Sequence, residues 1–336
     1  MSAALGPLGR LYGMGATARA AAYRSGWLRQ RRLSRPVVSV GNLTAGGTGK
    51  TPLVRWTVDR LIQRGRRPAI LIRGYRRKRG PDAIVIPPKP GRAPEPREVG
   101  DEAAWLARLF PDVPIGVSAH RFPTGELIAA NYTPDVFVLD DGFQHLALAR
   151  DLDVVALDAT REVSDGQLLP AGLQREPCAA LVRAGLIVIT RTELADPAPL
   201  EAKVRTVNSS VPVVRARTRL DHLTAIGGAT MPADEFVGRP VHAFCGIGNP
   251  DAFFRNLRLW GFDVVRESMF PDHHVYRNLN FAGRGSVAAL VTTEKDLMNL
   301  TGLDVAGLGV PVLACATRFD LEDAAAFDEV LFASLG

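Results

Sequence analysis

A run of small residues ending in a lysine and a hydroxyl, Thr44-Ala45-Gly46-Gly47-Thr48-Gly49-Lys50-Thr51, follows the apolar stretch Val37–Val40 and precedes a segment of helical spacing. Glycines let backbone N–H groups turn towards phosphate oxygens, and Lys50 neutralises them. The Thr51 hydroxyl suits Mg²⁺, and the helix N-terminus adds partial positive charge. The strict pattern has Gly where Thr44 stands, but strand before and helix after supply the required context. These residues predict a nucleoside triphosphate site. A second chemical signal is Asp140-Asp141, which closes the apolar run Val136–Leu139. Adjacent carboxylates at the end of a buried strand call for a cation. Gln144 and His145, just beyond, are open to two readings, donors to the site or helix-cap residues.

The elements that would hold these groups alternate strand and helix. Ala69–Ile72, Val154–Leu157 and Leu186–Ile189 are apolar throughout, as are the runs before the glycines and before the acids. Strands buried on both faces of a parallel sheet have that pattern, and Thr51–Arg64 and Glu102–Phe110 have helical spacing. The expected fold is α/β, a P-loop NTPase-type parallel sheet with helices on both faces, plus a smaller C-terminal α/β domain closing over the nucleotide site. The expected boundaries are 36–214 for the first domain, 215–240 for a connector and 241–336 for the second domain. Residues 76–98, rich in Pro and Arg, read as a long loop or lid.

Composition narrows the class. The chain has 336 residues and is 46% hydrophobic, which excludes global disorder. No apolar run reaches the roughly 18–20 residues needed to span a bilayer. Cys178, Cys245 and Cys315 lie far apart, against a disulfide scaffold or zinc finger. Residues 1–36 carry seven arginines and no acid, leaving 34 basic against 35 acidic residues elsewhere. The body is therefore near neutral, and no nucleic-acid partner is expected. For residues 1–35, with Leu8, Tyr12, Ala16, Ala20, Tyr23 and Trp27 on one helical stripe, three readings stand open. They are a membrane-surface helix, a helix packed on the body, and a transit peptide.

The regulatory nucleotide proteins fit poorly. Asp140-Asp141-Gly142 lacks GTPase spacing, and Thr293-Glu294-Lys295-Asp296 resembles a guanine-reading Asn-Lys-x-Asp without its Asn. In contrast, Ser39–Pro52 resembles the signature of the tetraacyldisaccharide 4′-kinase family. Arg73-Gly74-Tyr75, Gly100-Asp101-Glu102, Asp140–His145, Arg150–Asp153, Leu168–Gly172 and Arg175-Glu176-Pro177 resemble further family motifs in order. Phe270–His274 and Thr292–Asp296 extend the match to about residue 300. The chain departs from the family at Arg76, Leu146 and Leu173-Gln174.

The resemblance implies ATP- and Mg²⁺-dependent phosphorylation of the 4′-hydroxyl of a tetraacyldisaccharide 1-phosphate in lipid A biosynthesis. It places the work at the cytoplasmic face of a Gram-negative inner membrane, which favours the membrane-surface reading of residues 1–35. A monomer is expected. Lys50 and the loop amides would hold phosphates, aided by Lys295 and Asp296 of the second domain. Thr51, Asp140 and Glu176 would hold Mg²⁺. Arg73, Gln144 and His145 would meet the substrate, although Arg73 could instead pair with an acid. Asp101 is expected to act as the base, with His273 orienting it and Asp141 anchoring that histidine. Other roles are a helix cap for Asp101 and a metal pair for His273 and His274. The competing class is a nucleotide-gated switch, such as a GTPase or metallochaperone-like protein.

Overall fold

A computed structural model describes residues 5–336 except 76, 78–81, 93, 165–167, 273, 280, 282–285, 301–302 and 304. The chain divides into two compact units. Unit 1 comprises residues up to Arg217 together with Leu321–Gly336, and unit 2 is Thr218–Asp320.

Unit 1 begins with α1 (Gly6–Arg24), β1 (Val37–Asn42), α2 (Lys50–Gln63), β2 (Pro68–Ile72) and β3 (Ala83–Ile86). It continues through α3 (Pro96–Val99), α4 (Asp101–Leu109), β4 (Ile115–Ser118), α5 (Arg121–Tyr132) and β5 (Val136–Asp140). Then come β6 (Leu152–Asp158), β7 (Leu186–Thr190), α6 (Ala198–Val207) and the start of β8 (Val213–Ala225). The strand order is β8-β7-β6-β1-β5-β2-β4-β3, parallel except for the edge strand β3. The fully apolar runs became fully buried strands, as parallel pairing requires. Val37, Ala69, Leu71, Phe137 and Leu139 share a core with Leu33, Ile128 and Leu148. Val155, Leu157, Ile187 and Ile189 share another with Leu43, Phe143 and Leu181.

Unit 2 continues β8 and adds β9 (Thr230–Met231), β10 (Pro240–Cys245), α7 (Pro250–Leu259), β11 (Asp263–Met269), β12 (Ala289–Thr293), α8 (Glu294–Asn299) and β13 (Val312–Leu321). Its order is β11-β10-β12-β13-β8, with β9 on β8. A last helix, α9 (Ala324–Ala333), returns to unit 1. There Phe327 meets Trp56 edge-on at 4.5 Å, and Asp328 accepts from Arg60 Nε at 3.0 Å and Arg64 Nη2 at 3.0 Å.

Three expectations differ from this architecture. The segment expected as a connector over 215–240 is largely paired strand, because β8 is thirteen residues long. The chain end belongs with unit 1, since an apolar and charged face of α9 docks on α2. Within 76–98, Ala83–Ile86 forms an edge strand antiparallel to β4.

The N-terminal helix packs by its smallest residues. Gly9 and Gly13, one turn apart, are its buried positions. A Cβ at Gly9 would stand 3.1 Å from Leu168 O, and one at Gly13 would stand 2.6 Å from Leu168 Cδ1. That close approach leaves Leu8, Leu11, Tyr12 and Met14 exposed. Among the described residues no helix is long and apolar enough to cross a membrane.

Candidate active site

The parallel register sets Val40 of β1 beside Asp140 of β5, so the glycine-rich loop and the acidic pair leave neighbouring strand ends. The loop returns into α2 at Lys50, with Gly46 at φ 89° and Gly49 at φ 82°, conformations that a side chain would oppose. Asn42 spans the loop from beneath: its Nδ2 donates to Thr44 O and, at 2.7 Å, to Thr48 Oγ1. From above, Ala45 N donates to Leu173 O at 2.6 Å, Arg175 N donates to Leu43 O at 2.8 Å, and Thr44 bridges Gln174. The family departures at Leu173-Gln174 thus still make this cover through backbone groups.

Lys50 Nζ bonds the Asp141 carboxylate, which also accepts two 2.8 Å bonds from Arg175 Nη1. Burial opposes ionisation of Asp141, yet Lys50 and Arg175 outweigh it and hold the carboxyl well below the usual range. Asp140 behaves oppositely. Burial, with Glu102 close by, pushes its carboxyl up to about 7 despite the pull of Lys50. Arg121, buried at the start of α5, faces both acids, and its Nη1 donates to Ala119 O at 3.2 Å.

Asp101 and Glu102 open α4, where Gly100 occupies the cap position at φ 95°. A Cβ on Gly100 would come within 3.0 Å of Tyr75 O and 3.2 Å of Gly74 Cα. This approach places Arg73-Gly74-Tyr75 against the start of α4. Arg73 is exposed and close enough to act electrostatically on Arg121. His145 is held neutral, down to about 3, by burial and by Arg121, Arg150 and Arg19. Arg19 Nη1 of α1 donates to Gln144 O at 3.1 Å.

Gln144 and Glu176 form one network. Gln144 Nε2 donates to Asn42 O and Glu176 Oε1, both at 3.0 Å, while Arg183 Nη2 pairs with both Glu176 oxygens at 3.0 and 2.9 Å. The carboxylate expected on Mg²⁺ is thus already engaged by Gln144 and Arg183. Asp141, expected to anchor His273, holds Lys50 and Arg175. His273 lies outside the described residues.

Lys295 and Asp296 belong to unit 2. Lys295 pairs with Asp272 at 3.1 Å. Asp296, fully buried, accepts from Gly246 N at 3.0 Å, Tyr276 Oη at 2.9 Å and Thr293 Oγ1 at 2.6 Å. It thereby ties the Gly246 turn to Tyr276.

Sequence reasoning gave no role to Asn42, Glu102, Arg121 or Arg175. Asn42, Glu102 and Arg175 lie within family motifs, close to residues with expected roles. Arg121 has no local signal; only the position of β4's end brings it to the acids.

Among the described residues no three His, Cys, Asp or Glu side chains form a metal cluster. Mg²⁺ commonly takes one or two carboxylates and completes its shell with water and substrate phosphates. A buried acid with a raised pKa near Lys50, at the end of the strand beside the phosphate loop, fits that manner of binding.

The chain matches the family described as tetraacyldisaccharide-1-P 4′-kinase (LpxK) over residues 1–335. A tetraacyldisaccharide 4′-kinase of an Anaeromyxobacter species, strain Fw109-5, is 42% identical over 320 residues, 93% of this chain and 85% of the relative. That of Geobacter metallireducens is 40% identical over 304 residues, 90% of this chain and 87% of the relative. The crystal structure of Aquifex aeolicus LpxK in complex with ATP superposes with a TM-score of 0.79 at 31% identity, covering 99% of each chain. With its motifs in order, a matching fold and relatives aligned nearly end to end, the chain belongs to the tetraacyldisaccharide 4′-kinase family, kinases acting on a sugar hydroxyl.

Proposed function

We propose that this protein transfers the γ-phosphoryl group of ATP to the 4′-hydroxyl of a tetraacyldisaccharide 1-phosphate at a membrane surface. The observation that carries the reading is the meeting of Lys50, Asp141 and Arg175 beside buried Asp140 at the start of α2. Loop amides of Thr44–Thr51 bind the triphosphate, and Lys50 neutralises its β- and γ-phosphates. Arg175 reaches the same phosphates from the covering segment. Thr51 and Asp140 would hold Mg²⁺, which supplies charge neutralisation at the transferring group.

Asp101 accepts the proton of the 4′-hydroxyl as its oxygen bonds to the γ-phosphorus. The bond from that phosphorus to the bridging oxygen breaks, and ADP leaves. His273 is assigned to orient Asp101. Lys295 and Asp296 are assigned to the nucleotide side, with Asp296 acting through the Gly246 turn. Arg73, Gln144 and His145, joined by Arg121, would receive the substrate's 1-phosphate. Neutral His145 donates a hydrogen bond there without adding charge.

The membrane reading draws on α1 and the residues after it. Leu11 and Met14 are 66% and 68% exposed and Trp27 is 90% exposed, with seven arginines nearby in sequence. Apolar side chains among arginines suit the interface of an anionic leaflet. The protein would act there as a monomer, at the cytoplasmic face of a Gram-negative inner membrane. The family assignment gives no support to the switch-protein alternative.

The deciding experiment supplies γ-labelled ATP, Mg²⁺ and detergent-solubilised tetraacyldisaccharide 1-phosphate to the full chain. Label is expected in the lipid. Release of inorganic phosphate alone would overturn the proposal.

A further inference from the structure

Gln144 and His145, which the proposed mechanism sets against the acceptor, stand in the stretch Gly142–Leu148, which belongs to no helix or strand. Backbone carbonyls in such a stretch have no ladder partners and normally turn to water. Here every carbonyl from Phe143 to Leu148 accepts a hydrogen bond from a residue outside the turn. Arg183 Nη2 reaches Phe143 O at 3.4 Å, and Arg150 Nη1 reaches His145 O at 3.4 Å and Leu148 O at 3.0 Å. The remaining donors come from the N-terminal segment. Arg19 Nη1 bonds Gln144 O at 3.1 Å, Gln30 Nε2 bonds Leu146 O at 2.8 Å, and Arg31 N bonds Ala147 O at 2.9 Å.

The donors are themselves held. Arg150 is locked by Asp153 through bonds of 3.2 and 3.0 Å, both side chains being buried. Gly9 and Gly13 seat α1, and with it Arg19, against Leu168. Arg31 accepts at its carbonyl from Ala149 N at 2.8 Å and lays its guanidinium over Phe122 of α5. Arg32 pairs with Asp151 at 2.7 Å, and Leu33 enters the core. The Gln144 side chain is gripped separately, by Asn42 O and Glu176 Oε1. The turn is thereby suspended between the phosphate loop and the N-terminal segment.

Resting on the acceptor reading above, we propose that Arg19 and Gln30 are positioning residues of the transfer reaction. They hold the Gly142–Leu148 main chain where Gln144 and His145 meet the acceptor's phosphate, a duty separate from any contact with lipid. The N-terminal segment is thus part of the active-site frame as well as a proposed membrane contact. Gln30 separates the two duties, since it carries no charge and lies beyond the end of α1. A phosphate remote from the reacting hydroxyl is held equally in ground and transition states. Loosening its site therefore raises the acceptor's KM and spares kcat.

The test follows label transfer by the full chain from γ-labelled ATP to the tetraacyldisaccharide 1-phosphate in uncharged detergent micelles, where no anionic bilayer is present. Gln30→Ala should raise the acceptor's KM by about three- to ten-fold, and Arg19→Ala combined with Gln30→Ala by about ten-fold or more. kcat and the KM for ATP should stay within about two-fold. Arg19→Lys keeps a cationic donor and should recover part of what Arg19→Ala loses. Gln30→Ala carries the test alone should the double variant lose its fold by circular dichroism. An unchanged acceptor KM in folded Gln30→Ala, whether or not its Tm or its binding to vesicles falls, overturns the assignment. An equal rise in the KM for ATP overturns it too. Absence of label in the lipid with the unaltered chain would instead remove the proposed function itself.

Discussion

Asp141→Asn removes the charge on which Lys50 and Arg175 converge. Two unit charges about 3 Å apart attract by roughly 5 kcal/mol at an effective dielectric near 20, before desolvation is subtracted. Breaking a fully buried pair costs about 3–5 kcal/mol and an exposed pair less than about 1. Here the Lys50, Asp141 and Arg175 side chains are 15%, 29% and 25% exposed, between those limits. We expect a loss of about 1–2 kcal/mol, hence a Tm lower by about 2–8 °C for a unit of this size. The sign with pH follows from the depressed carboxyl. Its stabilisation is complete above the ordinary carboxylate pKa near 4 and is lost as pH falls towards the folded value. The gap between variant and parent should therefore be constant from pH 6 to 8 and narrow below about pH 4. Lys50 also loses its orienting partner, and a misplaced phosphate ligand can lower kcat by about 10–10²-fold. Scanning calorimetry across pH and single-turnover label transfer read both effects. Equal Tm and equal kcat at pH 7 would show that Asp141 does not hold the two cations.

Asp101→Asn should lower kcat by about 10²-fold or more while ATP binding holds, as measured by label transfer and calorimetry; near-normal turnover would remove the base assignment. Leu11→Glu with Met14→Glu should weaken partition onto anionic vesicles by at least about ten-fold in a sedimentation assay, because two exposed apolar groups are replaced by anions. Equal partition would take the membrane role from α1. Asp328→Ala leaves Arg60 and Arg64 without the acceptor that joins α9 to α2, and should lower Tm by about 4–8 °C, that is, about 2 kcal/mol. An unchanged Tm would mean that α9 is not held by this pair.

Much of the first unit was legible because the relevant signals are local. Five apolar runs became five buried strands, and the glycine loop and Asp140-Asp141 stood at the expected strand ends. The rest depends on distances that sequence does not measure. Glu102, Arg121 and Arg175 reach the acids from other parts of the chain, because strand order and the covering segment bring them there. On α1 the buried Gly9 and Gly13 share a side with the half-buried Ala16, Ala20 and Tyr23 of the apolar stripe, while Leu8 and Tyr12 at its edge stay exposed, since close helix approach rewards small residues as well as apolar ones. Proline-rich flanks concealed the short strand Ala83–Ile86.

Asp140 and Asp141 show how adjacent, chemically identical groups come to opposite tasks. Asp140 ends β5, its side chain enclosed near Glu102, where a lone negative charge is costly. Asp141 leaves the strand at φ 51°, a left-handed turn that an aspartate tolerates better than most residues, and so meets Lys50 and Arg175. One carboxyl is pushed up and the other down by surroundings that differ through a single backbone turn. In the proposed mechanism the raised acid gains most from a cation arriving with the nucleotide. The depressed one stays charged and holds Lys50 and Arg175, the side chains proposed to meet the phosphates. Exchanging their environments would abolish both roles, so the turn at Asp141 matters as much to the site as the carboxylates it separates.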